Sequence, residues 1–249
     1  MQPKTKTHEA YEYLERYQGL TNPDNLRFIR WLRDAKSLLK TNAIDAYVLQ
    51  GFAHMALGDA DLAVQSLKKA HLLNHDLASY NYAVALHRIG NFAQSHEVCL
   101  GLLKKDPYNH KVIAVAIGNA GRQSDIGMLD EIFDLLDGSL ACRQDAKQFI
   151  NKVLDNLKQA NISRENFARI NQLVVKFLTK RYFGNSHIET TVTQTEIGNM
   201  LDVNIYLNNV SIDDCLRWND AFLDVLIDDD KLHFDDYKNI LVHFIPKGA

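Results

Sequence analysis

The chain has 249 residues, of which 46% are hydrophobic and 24% are charged, with only 4 prolines. This composition excludes a disordered chain and predicts a globular protein that buries a proper core. The net charge of −3 conceals an asymmetry, because residues 184–249 hold 12 acidic and 4 basic side chains. Such a shift near Gly184 predicts a domain boundary, with one domain over residues 1–183 and another over 184–249.

The cysteines and the opening residues bear on the compartment. Cys99, Cys142 and Cys215 lie far apart and are odd in number, which favours a reducing environment over a disulfide framework. The first residues lack the apolar run of a signal peptide, and no stretch reaches the roughly 18 apolar residues of a membrane span. We therefore expect a cytoplasmic protein with no membrane partner.

The first predicted elements are two helices that form a hairpin. A short helix is expected near Glu9–Tyr17. A longer one follows in "NPDNLRFIRWLRDAKSLLK", where Asn22 is placed to cap it and Pro23 occupies the permissive first turn.

The next stretch, "YVLQGFAHMALGDADLAVQSLKKA" (47–70), contains two apolar segments with helical spacing on either side of Gly58-Asp59. Glycine readily adopts the left-handed conformation that ends a helix, and Asp59 is expected to cap the start of the next one. These features predict a helical hairpin. The small residues Gly51 and Ala63 then lie where the two helices cross and let their backbones approach closely.

The same pattern returns in "SYNYAVALHRIGNFAQSHEVCLGLLKKDP" (79–107), with each corresponding position 32 residues further on. The corresponding pairs are Gly51 and Ala83, Gly58 and Gly90, Asp59 and Asn91, Ala63 and Ser95, Leu67 and Cys99, and Ala70 and Leu102. Self-similarity at this period predicts a solenoid of helical hairpins.

This pattern resembles the tetratricopeptide repeat family, closely over residues 44–107 and loosely over 22–136. Small residues at the helix crossing and Pro107 after the second helix fit the family, whereas Gln50 and Ser79 depart from it. A third unit is expected at Asn109–Leu136, with its alignment displaced by a residue or two. The resemblance implies an α-solenoid for the first domain.

The resemblance also implies a function. In similar proteins the first helix of each hairpin lines a concave groove that receives a peptide or helix of a partner protein. We therefore predict a non-catalytic interaction protein such as an adaptor, assembly factor or chaperone. Carried over to this chain, the residues that line the groove are Val48, Phe52, Met55, Tyr80, Asn81, Val84, His87 and Arg88. Apolar members of this set could instead pack between adjoining helices, whereas the polar Asn81, His87 and Arg88 are better placed for contact with a partner.

The remaining sequence predicts two further helices and a small α+β domain. The helices follow Gly138, and the second begins at Ser163. Strict alternation in "LDVNIYLNN" (201–209) predicts a strand, paired with "SHIETTVTQTEI" (186–197) by a turn at Gly198-Asn199. Ser211 and Asp214 form a capping box for a helix that ends near Ile227, and "YKNILVHFI" (237–245) predicts a last strand. The fold class is therefore mainly α, a helical-hairpin solenoid followed by a strand–strand–helix–strand unit.

No catalytic motif or complete metal site is found in the sequence, so we predict no enzyme, no cofactor and no metal. Phosphate-binding loops, nucleophile elbows and the HExxH motif are absent. His71 and His75 share a helix face, but a zinc site needs about four ligands. The acidic run Asp228–Asp236 lacks the ligand spacing of a calcium loop.

Two alternatives to this function stay open. The C-terminal domain could be an enzyme or ligand-binding domain that uses His187, His243 and its aspartates, with the repeats as a docking arm. The basic helices at 140–183, which carry 9 basic and 3 acidic residues, could contact nucleic acid, although their charges are spread round both helices. A simpler explanation for that charge is that these helices face the acidic tail, or that their charged side chains are only exposed to solvent. The sheet should also leave an unpaired edge through which a homodimer could form.

Overall fold

The computed structural model describes residues 6–17, 19–22, 24–73, 76–136, 142–184, 186–196 and 198–247. Its N-terminal part is a succession of helices. These helices are α1 (Lys6–Arg16), α2 (Leu26–Leu38), α3 (Ala43–Leu57), α4 (Ala60–Leu72), α5 (Asp76–Arg88), α6 (Phe92–Leu103), α7 (His110–Gln123), α8 (Ile126–Leu135), α9 (Cys142–Gln159) and α10 (Arg164–Thr179). Each helix from α2 onward packs on the next, while α1 packs on α3. The predicted class, mainly α with a small α+β unit at the C-terminal end, is confirmed.

The corner between α3 and α4 has the predicted left-handed glycine and the predicted close approach of the two helices, but not the predicted cap. Gly58 ends α3 in the left-handed conformation, with φ of 87°. Gly51 lies against Leu67 of α4, so closely that a Cβ built on it would stand 2.4 Å from the Leu67 Cγ. The predicted cap at Asp59 is wrong, since its side chain makes no capping hydrogen bond and its Oδ2 lies 3.5 Å from Nδ1 of His54.

The next two hairpins repeat this corner. Gly90, with φ of 78°, follows α5, and Asn91 caps α6 by accepting a hydrogen bond from the amide of Gln94. In the third hairpin Ser124 takes the left-handed position with φ of 50°, and Asp125 caps α8. The predicted helical hairpin at Asn109–Leu136 is therefore present.

The N-terminal segment is joined to the end of α10. Strand β1 (Gly19–Leu20) pairs with β2 (Tyr182–Phe183) in an antiparallel ladder. The cap of α2 differs from the prediction, because Asn25 rather than Asn22 accepts the hydrogen bond from the first-turn amide of Arg27. Asn22 instead accepts from the amide of Asp24, in the turn before the helix. Pro23 lies outside the described residues.

The C-terminal unit contains β3 (Ser186–Thr195), β4 (Gly198–Leu207), α11 (Ile212–Ile227), the short α12 (Phe234–Tyr237) and β5 (Ile240–Pro246). The strand order is β3-β4-β5, with β3 antiparallel and β5 parallel to β4. The predicted turn at Gly198-Asn199 is wrong by two residues, because Gly198 already pairs with Thr195. Ser211 caps α11 as predicted, by accepting from the amide of Asp214.

One face of this sheet packs on α10 and α11. The alternating side chains of β4 that were predicted to share a face, Leu201, Val203, Ile205 and Leu207, are fully buried. They share one hydrophobic cluster with residues of α9 and α10, such as Val153 and Val174. The core of the C-terminal unit thus extends into helices on the other side of the predicted boundary at 183/184, and that boundary stays a prediction.

Polar contacts also join the acidic tail to the basic helices. The guanidinium of Arg169 on α10 forms a two-pronged ion pair with Asp229, and Asn166 donates to Asp236 at 2.7 Å. Each outer strand of the sheet has one backbone group bonded to an asparagine side chain. Asn156 donates to the carbonyl of Thr190 on β3, and Asn219 accepts from the amide of Phe244 on β5.

Candidate binding groove

The first helices of three successive hairpins, α3, α5 and α7, line one cavity of about 890 Å³, which we call the groove. Residues three or four apart share a helix face, so each helix presents a stripe of side chains to it. Of the eight residues predicted to line the groove, seven lie on its wall: Phe52, Met55, Tyr80, Asn81, Val84, His87 and Arg88. The eighth, Val48, is buried in the core that α3 shares with its neighbours.

The apolar members of the set are partly structural. Phe52 and Met55 are only 6% and 5% exposed, and both belong to the same core cluster as Val48. Asn81 is 5% exposed, and its side-chain amide donates to the carbonyl of Leu77 on its own helix. Tyr80, Val84, His87 and Arg88 are half-buried, so these four of the predicted residues present the larger surfaces to the groove.

Helix α1 forms one wall of the groove, which the repeat pattern did not predict. The ring of Tyr11 lies 6.2 Å from that of Phe52, and its hydroxyl accepts a hydrogen bond of 2.7 Å from Nζ of Lys111 on α7. Beyond this bridge a second cavity of about 580 Å³ shares Tyr11, Phe52, Tyr80 and Lys111 with the groove. The two cavities are therefore adjacent, and the Tyr11–Lys111 pair lies on the walls of both.

The opposite wall is α10 and the segment that follows it. The last carbonyl groups of a helix have no partner within the helix. Thr179 of α10 donates to the carbonyl of Arg88 at the end of α5, and Asn171 donates at 3.0 Å to that of Arg122 at the end of α7. Both donors are nearly fully buried. Helix α10 thus lies across the C-terminal ends of α5 and α7, and its side chains donate hydrogen bonds to carbonyl groups that lack a partner within those helices.

Two arginines project from these helix ends into the groove. The Nη2 of Arg88 donates to the carbonyl of Tyr182 at 2.9 Å, and its guanidinium lies 4.5 Å from the ring centre of Phe183. The Nη2 of Arg122 donates to the hydroxyl of Ser186 at 3.3 Å. Burial lowers the pKa of each guanidinium to about 10, so both stay charged at neutral pH.

Each of these arginines also has a donor that is unused within the described part of the chain. The Nε of Arg88 and the Nη1 of Arg122 are buried and have no hydrogen-bond partner among the described residues. An unpaired buried donor costs about 1–3 kcal/mol.

His87 lies between the two arginines and is neutral at physiological pH. Asn119 donates to the hydroxyl of Ser95 at 2.9 Å, which leaves its carbonyl oxygen to accept from Nδ1 of His87 at 2.7 Å. Burial, together with the charges of Arg122 and Arg88, lowers the pKa of His87 to about 4. The hydroxyl of Ser95 in turn donates to the carbonyl of Ala83, across the predicted helix crossing. This chain of bonds fixes the imidazole in place.

The groove residues that sequence reasoning missed fall into two groups. Arg122 and Lys111 belong to the third hairpin. Arg122 lies two residues before the corner residue Ser124, just as Arg88 lies two residues before the corner residue Gly90. Aligning the three corners would have found Arg122. Tyr11, Tyr17 and Phe183 come from segments outside the repeats, and no repeat signal points to them.

The alternative sites of the C-terminal unit are exposed. His187 lies 3.1 Å from Glu189, and His243 lies 3.5 Å from Asp202, with imidazole side chains 59% and 41% exposed. In the described part of the chain, no group of three or more His, Cys, Asp or Glu side chains is placed to hold a metal ion. His75 lies outside that part, while His71 is 2.8 Å from the hydroxyl of Ser79 and stacks on Tyr82.

Comparisons with known proteins add no family. No protein-family model matches the chain, and neither the curated proteins nor the solved structures contain a match. Among the helices that the structure describes, none has the length and apolarity needed to cross a membrane.

Proposed function

We propose that this protein is a non-catalytic interaction module that holds a peptide or helix of a partner protein in the groove, as an adaptor, assembly factor or chaperone does. The observation that carries the proposal is the convergence of seven predicted residues from α3 and α5, joined by α7, on one cavity. Three successive hairpins each present their first helix to the groove. Together these helices provide the kind of extended surface that helical repeats use for binding.

The composition of the walls supports a peptide as the ligand. Tyr80 and Val84 offer apolar surface, while His87 and Arg88 offer polar groups that can contact a peptide backbone or side chain. The groove has a volume of about 890 Å³, so a segment of several residues has room in it.

A cytoplasmic location is part of the proposal. Cys99 and Cys215 are buried free thiols, as expected for a protein kept in a reducing compartment. A homodimer through the outer strands also stays a prediction. The bonds of Asn156 and Asn219 to those strands each use one backbone group that a second copy would need.

The test uses a photo-crosslinking amino acid at Val84, on the groove wall, and at Leu72, which is 71% exposed at the end of α4. We expect position 84, and not position 72, to crosslink to a defined segment of a partner in the producing cells. The purified segment should bind the Leu72→Trp variant with the same affinity as the natural protein. Its affinity for Val84→Trp should be at least about tenfold lower, because the indole would fill the groove. Equal binding to both variants would refute the proposal.

A further inference from the structure

We infer that copies of this protein associate head to tail, and that the basic outer face of α2 in one copy docks on an acidic and apolar outer face of α11 in the next. These surfaces lie outside the groove, so the inference does not depend on the proposed function. It follows from the exposed apolar side chains of α11, the acidic side chains beside them, and the opposite charge of α2.

Helix α11 has a second apolar face that its own fold does not use. Its inner face packs on the sheet and α10 through four buried side chains: Cys215, Trp218, Phe222 and Leu226. Four other apolar side chains are each 53–58% exposed, more than on any other described helix: Ile212, Leu216, Leu223 and Ile227. Their spacings of 4, 7 and 4 residues place them on one side of the helix. Single exposed apolar residues are ordinary, but an aligned stripe of four is typical of a helix that packs on another helix.

The charges next to this stripe are acidic. Asp213, Asp220 and Asp224 are exposed and lie together along its flank. The one basic residue of α11, Arg217, forms an ion pair with Asp214. A second α11 is therefore a poor occupant, because two such faces would bring like charges together. A helix with apolar and basic side chains on one face is complementary to this surface.

Helix α2 has that complementary face. Its apolar side chains Leu26 and Ile29 are 80% and 39% exposed. Three basic side chains on the same side of the helix are exposed as well: Arg30, Arg33 and Lys36. The one acid of α2, Asp34, forms an ion pair of 2.9 Å with Lys6. The outer face of α2 is therefore basic around an apolar centre.

Length and charge both favour a second copy as the occupant. The two helices, of 13 and 16 residues, are about 20 and 24 Å long, so the faces match in extent. Both faces are exposed within one copy, so neither covers the other. A contact between two different surfaces of identical chains repeats from copy to copy and forms a ring or an open chain. Because one helix pair is a small interface, we expect weak association that is seen at high protein concentration.

The experiment measures the molar mass of the full-length protein by sedimentation velocity, from about 1 μM to about 1 mM protein. In low salt the mean mass should rise with protein concentration. In about 0.5 M salt the apparent Kd should be at least about threefold higher, because salt screens exposed charges. A monomer at every concentration in low salt would overturn the inference.

Two double variants each block one face. Arg30→Glu/Arg33→Glu reverses the charge of α2 and leaves α11 intact, whereas Leu216→Ser/Leu223→Ser removes the stripe of α11 and leaves α2 intact. Each should raise the apparent Kd at least about tenfold. When the two variants are mixed, the intact α11 of the first should bind the intact α2 of the second. The mixture should therefore form a dimer and nothing larger, which only a head-to-tail contact predicts.

Matched controls make the same changes on exposed positions outside both faces. Leu62→Ser/Leu72→Ser on α4 and Lys68→Glu/Lys104→Glu should each associate like the natural protein. Association that survives both face variants would point to another interface, such as an outer strand of the sheet, and would overturn the inference. Loss of association in the α11 variant alone would exclude α2 as the occupant and would also overturn it.

Discussion

Replacing Gly51 by alanine should destabilise the protein, although alanine is the better helix former. Gly51 lies in α3 and faces Leu67, which is fully buried in α4. A Cβ at position 51 would stand 2.4, 2.7 and 3.0 Å from Cγ, Cδ2 and Cδ1 of Leu67. The first contact is with the branch point of a fully buried side chain. Only a change of χ1 would move that atom, and it would disturb the surrounding core; otherwise the helices have to separate.

Two opposing terms set the size of the effect. Glycine in a helix interior costs about 1 kcal/mol relative to alanine, which Gly51→Ala would recover. Inserting a methyl group into a packed interface costs about 1–3 kcal/mol. With contacts this short the upper part of that range applies, and we expect a net loss of about 1–2 kcal/mol in the free energy of unfolding. For a chain of this size that lowers Tm by about 2–8 °C.

Gly101 provides the matched control. It lies in α6, is exposed, and has no atom within 4 Å of the position that a Cβ would take. Gly101→Ala should therefore gain up to about 1 kcal/mol in urea unfolding. The cycle is completed by Leu67→Ala, which alone should cost about 2–5 kcal/mol. In that background Gly51→Ala should become stabilising, because the clash has been removed. If Gly51→Ala gains stability in the natural background as Gly101→Ala does, the close helix crossing is refuted.

Two titratable groups give further predictions. The pKa of His87 in the folded protein, about 4, lies below its ordinary value of 6.5, so between these values the unfolded chain binds a proton that the folded protein does not. Stability should therefore fall as the pH is lowered from 6.5 to 4, by up to about 3 kcal/mol, and urea unfolding of His87→Gln should lack this component. For Asp229 the hydrogen bonds from Arg169 lower the pKa of the carboxyl, so Asp229→Asn should cost about 1.5–3 kcal/mol at pH 7. That difference should shrink as the pH falls below 3.8, the ordinary pKa at which the unfolded chain starts to bind the proton, and a constant difference down to pH 3 would contradict the ion pair.

The sequence predicted the hairpin corners well because they depend on neighbouring residues. Gly58 and Gly90 each take the left-handed conformation at a helix end, and both positions follow from local pattern alone. The predicted cap at Asp59 was wrong, because its side chain makes no capping hydrogen bond and its carboxylate lies 3.5 Å from Nδ1 of His54. In the equivalent position Asn91 does cap its helix.

The third repeat marks the limit of the periodic signal. Its corner residue, Ser124, adopts the left-handed conformation without being glycine and follows Gly90 after 34 residues rather than 32. The change of interval displaces the alignment. When the repeats are aligned at a fixed interval of 32 residues, Arg122 is therefore not paired with Arg88. In the structure, however, the two arginines occupy equivalent places at the ends of α7 and α5.

The walls of the groove could not be predicted because they depend on residues far apart in the chain. The bond from Lys111 to Tyr11 spans 100 residues, and that from Arg88 to Tyr182 spans 94. These contacts also bear on binding. Because Arg88 and Arg122 are already held by the 182–186 segment, and α10 is fixed by Thr179 and Asn171, the groove is ordered before any ligand enters. In the function proposed above, a partner segment would then lose only its own conformational freedom, which favours affinity from a short stretch of peptide.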